Sequence, residues 1–149
     1  MSKEQDELNF ARNLVYGAYL VTHWYKQRAF ETITKQDGTP VTLADLSAQM
    51  FIFSKIKEHY PHHGIIGEED DSTITPERDK KINLCFNNLK EKLYFNLTQK
   101  PEDVILYRGD RDSEYIWCVD PIDGTKGYVK GESYAIGVAL LKDYKPILS

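Results

Sequence analysis

The residues Tyr115-Ile116-Trp117-Cys118-Val119-Asp120-Pro121-Ile122-Asp123-Gly124-Thr125 join an apolar run to two carboxylates, a glycine and a hydroxyl. The first five have the length and character of a buried strand. Asp120 and Asp123 are therefore expected where that strand reaches the surface. Hard divalent cations take oxygen ligands, and Mg²⁺ is usually held by one or two carboxylates together with substrate phosphate oxygens. A Gly-Thr turn opening a helix would offer backbone N–H groups to a phosphate. Metal-assisted phosphate chemistry is one reading of this stretch. The other is an ordinary solvated turn, since Asp-Pro and Asp-Gly are common turn pairs.

The surrounding composition permits either. A chain of 149 residues suits about one domain with a real core. A hydrophobic content of 41% and a charged content of 28% are those of an ordinary globular protein. The net charge of −4, with no block of Lys and Arg, argues against a nucleic-acid-binding surface. No apolar run approaches the roughly 20 residues of a membrane span. Cys85 and Cys118 make no disulfide framework, and no leader is evident, so a reducing, cytoplasmic compartment is expected. Both cysteines lack a C-x-x-C partner and read as small core residues. The four histidines form no H-x-x-x-H pair, which leaves oxygen ligands as the economical choice for a metal.

Helices and short strands alternate along the chain. Leu8, Ala11, Leu14, Val15, Ala18, Val21 and Tyr25 have helical spacing and predict an amphipathic helix over about 6–30. Asp37-Gly38-Thr39-Pro40 is a turn signal. A second helix is expected from Thr42–Asp45 to Tyr60, with Pro61 as its stop, burying Leu46, Met50, Phe53 and Ile56. Ile65-Ile66, between Gly64 and Gly67, reads as a short buried strand, and Glu68-Glu69-Asp70-Asp71 follows at once. Thr75-Pro76-Glu77 resembles a helix start, predicting a third helix to about Asn96. Residues 108–114 are charged and predict an exposed loop. The continuous apolar run 134–141 predicts a strand covered on both faces, followed by a turn at 143–145 and a last strand at 146–148.

Three acidic positions thus follow extended stretches: Asp45 after Pro40-Val41-Thr42, Glu68 after Ile65-Ile66, and Asp120 with Asp123 after the Trp117 strand. Open sheets place ligands at strand ends. A shared divalent ion would neutralise carboxylates that otherwise repel one another. Each has a plainer reading. Glu68–Asp71 could be a solvated acidic loop, Asp45 the cap of the second helix, and Thr125 a partner of its own turn.

The pairing Gly67-Glu68-Glu69-Asp70 and Trp117-Cys118-Val119-Asp120-Pro121-Ile122-Asp123-Gly124-Thr125 resembles the G-E-E and W-x-x-D-P-[IL]-D-G-T segments of the lithium-sensitive, Mg²⁺-dependent phosphatase superfamily that includes inositol monophosphatase. Lys35, Asp37 and Thr39-Pro40-Val41-Thr42-Leu43-Ala44-Asp45, with Thr125-Lys126-Gly127-Tyr128-Val129-Lys130-Gly131-Glu132, are most similar to its 3'(2'),5'-bisphosphate nucleotidases. The interval from Glu68 to Asp120 leaves room for the extra helix that such nucleotidases carry. The resemblance implies an α+β layered sandwich of the inositol monophosphatase-like type, with amino-terminal helices packed on a largely antiparallel sheet. It implies two or three Mg²⁺ ions held by Glu68, Asp120, the Ile122 carbonyl, Asp123 and Asp45, with Glu69 in support. Catalytic roles fall to Asp45, Glu68 and Thr125, and phosphate binding to Asp123, Gly124 and Thr125. The substrate would be a small phosphate ester, 3'-phosphoadenosine 5'-phosphate, hydrolysed to AMP and phosphate by a metal-activated water, with no nucleic-acid or membrane partner. An inositol phosphate phosphatase is the alternative substrate class.

The chain departs from the pattern in lacking both a later W-D-x-A segment and the glycine-rich segment that contacts the nucleoside in that family. Family members are much longer and carry a later W-D-x-A segment, whereas Trp24 and Trp117 are followed here by Tyr25 and Cys118. Residues 1–149 are therefore expected to be the amino-terminal metal-binding domain of a longer enzyme, with a carboxy-terminal half missing. A non-catalytic metal- or nucleotide-binding fragment is the other expectation for such a chain.

Overall fold

In the computed structural model, residues 2–28, 32–34, 40–67 and 76–149 are described. The acidic run 68–71, the turn at 37–39 and the Thr75 helix start fall outside these residues.

Helix α1 spans Lys3–Lys26 and is opened by Ser2, whose hydroxyl accepts from the Gln5 N–H at 3.2 Å. Glu4 and Asp6 in the first turn and Lys26 in the last complement the helix dipole. Its buried face, Ala11, Leu14, Ala18, Val21 and Tyr25, follows the predicted spacing. Strands β1 (Thr32–Thr34) and β2 (Pro40–Thr42) pair antiparallel as a small separate ribbon.

Helix α2 (Leu43–His59) is the centre of the molecule, with every residue from Leu43 to Ser54 buried. A helix buried on every side must be enclosed by other elements, and α2 lies against α1, α3, α4 and β4, burying Asp45, Ser47, Gln49 and Ser54 along with its apolar residues. The approach of α1 is close at Gly17, where an added Cβ would overlap the Phe51 ring. Helix α3 runs Pro76–Glu91, five residues shorter than the spacing suggested. A short helix α4, Pro101–Ile105, was not foreseen; Pro101 at its start and buried Val104 and Ile105 account for it.

The main sheet has the order β3-β4-β5-β6, formed by Gly64–Gly67, Tyr115–Asp123, Ala135–Lys142 and Lys145–Leu148. β3 and β4 are parallel and the remaining pairs antiparallel. Register aligns Ile65 with Trp117, Trp117 with Leu140, and Val119 with Val138, so one face is a continuous apolar surface against the helices. The opposite face carries Ile66, Cys118, Asp120 and Ala139. Two expectations are corrected here. Ile66 is 50% exposed rather than buried, and β5 buries Val138 and Leu140 while Ala135 and Gly137 are exposed. An apolar run without alternation does not establish a sheet covered on both sides. The final hairpin turns through Asp143 and Tyr144, both with positive φ, as a two-residue connection between right-twisted strands requires.

At the end of the sheet remote from the acids, an aromatic cluster closes the core. Trp117 Nε1–H donates to His63 Nδ1 at 3.1 Å, and the His63 ring stacks between Tyr60 and Tyr115. Burial, with Lys3 nearby, lowers the His63 pKa. Inside the helical layer, Tyr25 OH accepts from Ser47 Oγ at 2.7 Å and Asn88 Nδ2 at 3.1 Å. Cys85 is buried, its Sγ directed at the Leu43 carbonyl, and burial pushes its thiol up to about 11.

Candidate functional site

Asp45 stands at the third position of α2. The N-cap is Thr42, not Asp45: the Thr42 hydroxyl accepts from the Asp45 N–H at 3.1 Å. In return, Asp45 Oδ2 accepts from the Thr42 N–H at 2.8 Å and from its hydroxyl at 2.7 Å. This reciprocal capping box immobilises the carboxylate. Capping therefore accounts for one oxygen. The other, Oδ1, points at Thr125 Oγ1, which donates to it across 3.4 Å.

The residues after Val119 do not form a turn. β4 continues to Asp123, with a pairing irregularity against β5 between Asp120 and Asp123. Pro121 has no N–H for the ladder, and Ile122 buries its side chain, 1% exposed, into the core. Such bulges re-aim backbone groups beside functional sites. Here the Ile122 carbonyl lies 3.3 Å from Thr125 Oγ1 and competes with Asp45 Oδ1 as acceptor for the single hydroxyl proton. The turn itself is made by Gly124 alone, at φ +87° and ψ +47°, a left-handed conformation that a side chain resists. Helix α5 (Thr125–Val129) begins on the next residue. The first N–H groups of a helix have no acceptor within it, so those of Gly124 and Thr125 stand at a strand-to-helix junction between acidic side chains.

α5 is anchored from below. Tyr128 OH donates to the Thr22 carbonyl of α1 at 2.6 Å. Thr22 Oγ1 and Tyr134 OH share a further bond of 2.9 Å, and the Tyr128 and Tyr134 rings meet edge to face. Burial first, then Tyr134 and Asp45, raises the Tyr128 pKa, so its hydroxyl keeps its proton and serves as a fixed donor. Thr22, Tyr128 and Tyr134 were not among the sequence candidates. Thr22 and Tyr128 lie 106 positions apart in the chain, and no local pattern links them.

The structure thus joins Asp45, the Ile122 carbonyl and Thr125 around one hydroxyl. Asp120 stands on β4 beside them in sequence, its Oδ1 shielded from solvent. It lines an open cleft of about 630 Å³ with Ile66, Gly67, Cys118 and Gly137. Asp123 is exposed at the end of the strand. Glu68 lies outside the described residues. Among the described residues, no three His, Cys, Asp or Glu side chains gather into a metal-binding group. The predicted ligands among the described residues, three carboxylates and one carbonyl, are oxygens of the kind a hard divalent cation takes, and Cys118 faces the same cleft as Asp120.

The fold is a helix-backed mixed sheet in which β4 runs into Asp120 and Asp123 and on into a helix opened by Gly124. The chain belongs to the inositol monophosphatase family, whose model matches residues 3–149. Among curated proteins, a 3'(2'),5'-bisphosphate nucleotidase of Schizosaccharomyces pombe is 34% identical over 83% of this chain and 38% of its own length. A second, 3'(2'),5'-bisphosphate nucleotidase 2 of Candida albicans, is 33% identical over 97% of this chain and 45% of its own length. The chain therefore spans less than half of the relatives it matches. Of solved structures, an inositol monophosphatase from Anabaena superposes with a TM-score of 0.61 at 21% identity, covering 97% of this chain and 38% of that one. A second neighbour, an inositol monophosphatase/NADP phosphatase complexed with NADP and Ca²⁺, superposes at 0.63 with 19% identity over 98% of this chain and 43% of its own. These likenesses establish the α+β sandwich fold. No helix among the described residues is long and apolar enough to cross a membrane.

Proposed function

We propose that this chain carries the acidic part of the active centre of a Mg²⁺-dependent phosphomonoesterase. Its substrate would be 3'-phosphoadenosine 5'-phosphate, cleaved by water to AMP and inorganic phosphate. The observation that carries the reading is the Thr125 hydroxyl held between Asp45 Oδ1 and the Ile122 carbonyl at a bulged strand end. The nucleotide preference is supported by relatives at 33–34% identity named for that activity. We place the protein in the cytosol, supported by its two free cysteines.

Asp45, Glu68, Asp120, Asp123 and the Ile122 carbonyl would hold the ions, their oxygen donors fitting Mg²⁺. The chemistry such ions supply is Lewis-acid: they screen phosphate charge and make water more acidic. The residues themselves supply the proton path. With Asp45 Oδ2 committed to Thr42, only Oδ1 is directed at Thr125. When the Thr125 proton points to Oδ1, the lone pairs of Oγ1 are available to accept a proton from an attacking water. That proton moves to Oγ1 as the hydroxyl proton moves to Asp45. The water oxygen bonds to phosphorus, the ester P–O bond breaks, and the nucleoside oxygen leaves with the bonding pair and takes up a proton from solvent water, Asp45 returning its own proton to solvent. Gly124 and Thr125 N–H groups would receive the phosphate oxygens.

The test is phosphate release by the complete protein with Mg²⁺, for wild type and Asp120→Asn, on 3'-phosphoadenosine 5'-phosphate and inositol 1-phosphate side by side. Loss of turnover of at least about 100-fold in the variant, with the nucleotide preferred, is expected. Unchanged turnover by Asp120→Asn would sink the reading. Preference for the inositol ester would redirect it to the other substrate class.

A further inference from the structure

Helix α5 carries the Thr125 hydroxyl, yet with five residues it is too short to hold itself in place. A helix of that length is unstable in water on its own, so contacts with other elements must fix it. Its one buried residue is Tyr128. Thr125 and Tyr128 are spaced i, i+3 and share a face of the helix. Where the phenol is held, the Thr125 hydroxyl follows.

The phenol is held by α1. Tyr128 OH donates to the carbonyl of Thr22, a residue that is 0% exposed. Tyr134 braces the same point, its hydroxyl bonded to Thr22 Oγ1 and its ring edge to face with Tyr128 at 4.9 Å. The loop after α5 closes on it as well. The Glu132 N–H donates to the Gly127 carbonyl at 2.7 Å, and a Cβ on Gly127 would meet the Ser133 carbonyl oxygen at 2.7 Å. Phenylalanine at 128 would bury the same ring with no donor to satisfy, so the hydroxyl marks a need for a fixed point.

The other end of the helix shows what that point serves. Thr125 Oγ1 lies 3.4 Å from Asp45 Oδ1 and 3.3 Å from the Ile122 carbonyl. Both exceed the roughly 2.5–3.0 Å of ordinary O–H···O bonds, so a small outward movement of α5 takes the hydroxyl out of reach. Neither acceptor can follow it. Asp45 is fixed by its capping box, and Ile122 by its buried side chain on β4.

We infer that the Tyr128 hydroxyl is a positioning group for Thr125: by tying α5 to the Thr22 carbonyl it keeps Oγ1 within reach of Asp45 Oδ1. The inference rests on the proposed function in giving Thr125 the proton transfer.

The experiment measures phosphate release from 3'-phosphoadenosine 5'-phosphate by the complete protein with Mg²⁺, well below every melting midpoint. The proteins compared are wild type, Tyr128→Phe, Thr125→Val and the double variant. Misplacing a reacting group by 1 Å costs about 100-fold, so a partial shift in Tyr128→Phe should lower kcat about tenfold with KM within about twofold. In the Thr125→Val background the same change should cost nothing further, since the group it positions is gone. Amide hydrogen exchange in EDTA supplies a readout without metal or turnover: residues 125–131 should exchange about fivefold faster in Tyr128→Phe, with α1 and α2 unchanged. Wild-type kcat in Tyr128→Phe, or unchanged exchange in that segment, would overturn the inference. So would an equal loss in both backgrounds, or a Tyr128→Phe protein that does not fold, because the hydroxyl would then serve the fold and not Thr125. If Thr125→Val turns over like wild type, the proton path of the proposed function fails first, and that single variant tells the two failures apart.

Discussion

Replacing Asp45 separates its two duties. Asp45→Ala removes the acceptor for the Thr42 N–H and hydroxyl, at 2.8 and 2.7 Å, in a site where Asp45 is 2% and Thr42 8% exposed. Losing a helix cap costs about 0.5–2 kcal/mol, and leaving a buried donor without a partner about 1–3 kcal/mol. Together they predict a loss of about 2–4 kcal/mol, since the terms overlap. In a chain of this size that lowers the melting temperature by roughly 5–15 °C. Asp45→Asn keeps an oxygen facing the Thr42 N–H but loses the charge. Charge-assisted bonds are about twice as strong as neutral ones, so it costs about 1 kcal/mol, or roughly 2–4 °C. Activity should not follow that order, because both substitutions remove the proton acceptor. The amide cannot take up the Thr125 proton, so turnover by Asp45→Asn should fall at least about 100-fold although the protein stays folded. Circular dichroism melts and phosphate release with Mg²⁺ measure the two. An Asp45→Ala melt within about 2 °C of wild type refutes the capping argument. A folded Asp45→Asn protein with wild-type turnover refutes the proton path.

Other outcomes follow from the same geometry. His63 has a lowered pKa and accepts from Trp117 through a neutral ring. Below the ordinary histidine value of about 6.5, the unfolded chain therefore takes up a proton that the folded one resists. The contribution of His63 is complete above that pH and is lost as pH falls, so wild type should lose more melting temperature between pH 7 and 5 than His63→Gln; parallel slopes would count against this. Gly124→Ala meets no atom nearer than 3.7 Å, so its cost is the strain of φ +87°, about 1–2 kcal/mol, visible in the melt and in phosphate release. Gly131→Ala at φ +77° should show the melting loss without the activity loss. Tyr128→Phe removes the 2.6 Å bond to the Thr22 carbonyl and should cost about 1 kcal/mol in a denaturant titration.

Much of the fold is legible in local pattern. The α1 face from Ala11 to Tyr25, the Pro61 stop after α2 and the apolar Tyr115–Val119 strand all depend on neighbours within a turn or two, and all were found in place. What failed locally failed for identifiable reasons. The Asp120–Thr125 stretch has the composition of a turn, yet it is strand to Asp123, because burial of Ile122 and pairing with β5 hold it extended. β5 is apolar throughout, yet only alternate side chains are buried, since cover depends on what packs against the sheet and not on the strand itself.

The site divides the same way. Residue type and order named the acids to consider, Asp45, Glu68, Asp120 and Asp123, because each follows an extended stretch and carboxylates suit a hard cation, while the role of Thr125 came from the family resemblance. Tertiary structure decided what each can do. Asp45 lies 80 positions from Thr125, and only the packing of α2 beneath the β4 exit brings its Oδ1 to that hydroxyl while Thr42 occupies Oδ2. Gln49, silent in the sequence, is fully buried beside Gly67, and neither end of its amide has a hydrogen-bond partner among the described residues. Chemistry is carried by side-chain identity, which a sequence states outright. Distance and desolvation are set by contacts between remote segments, and those exist only once the chain has folded.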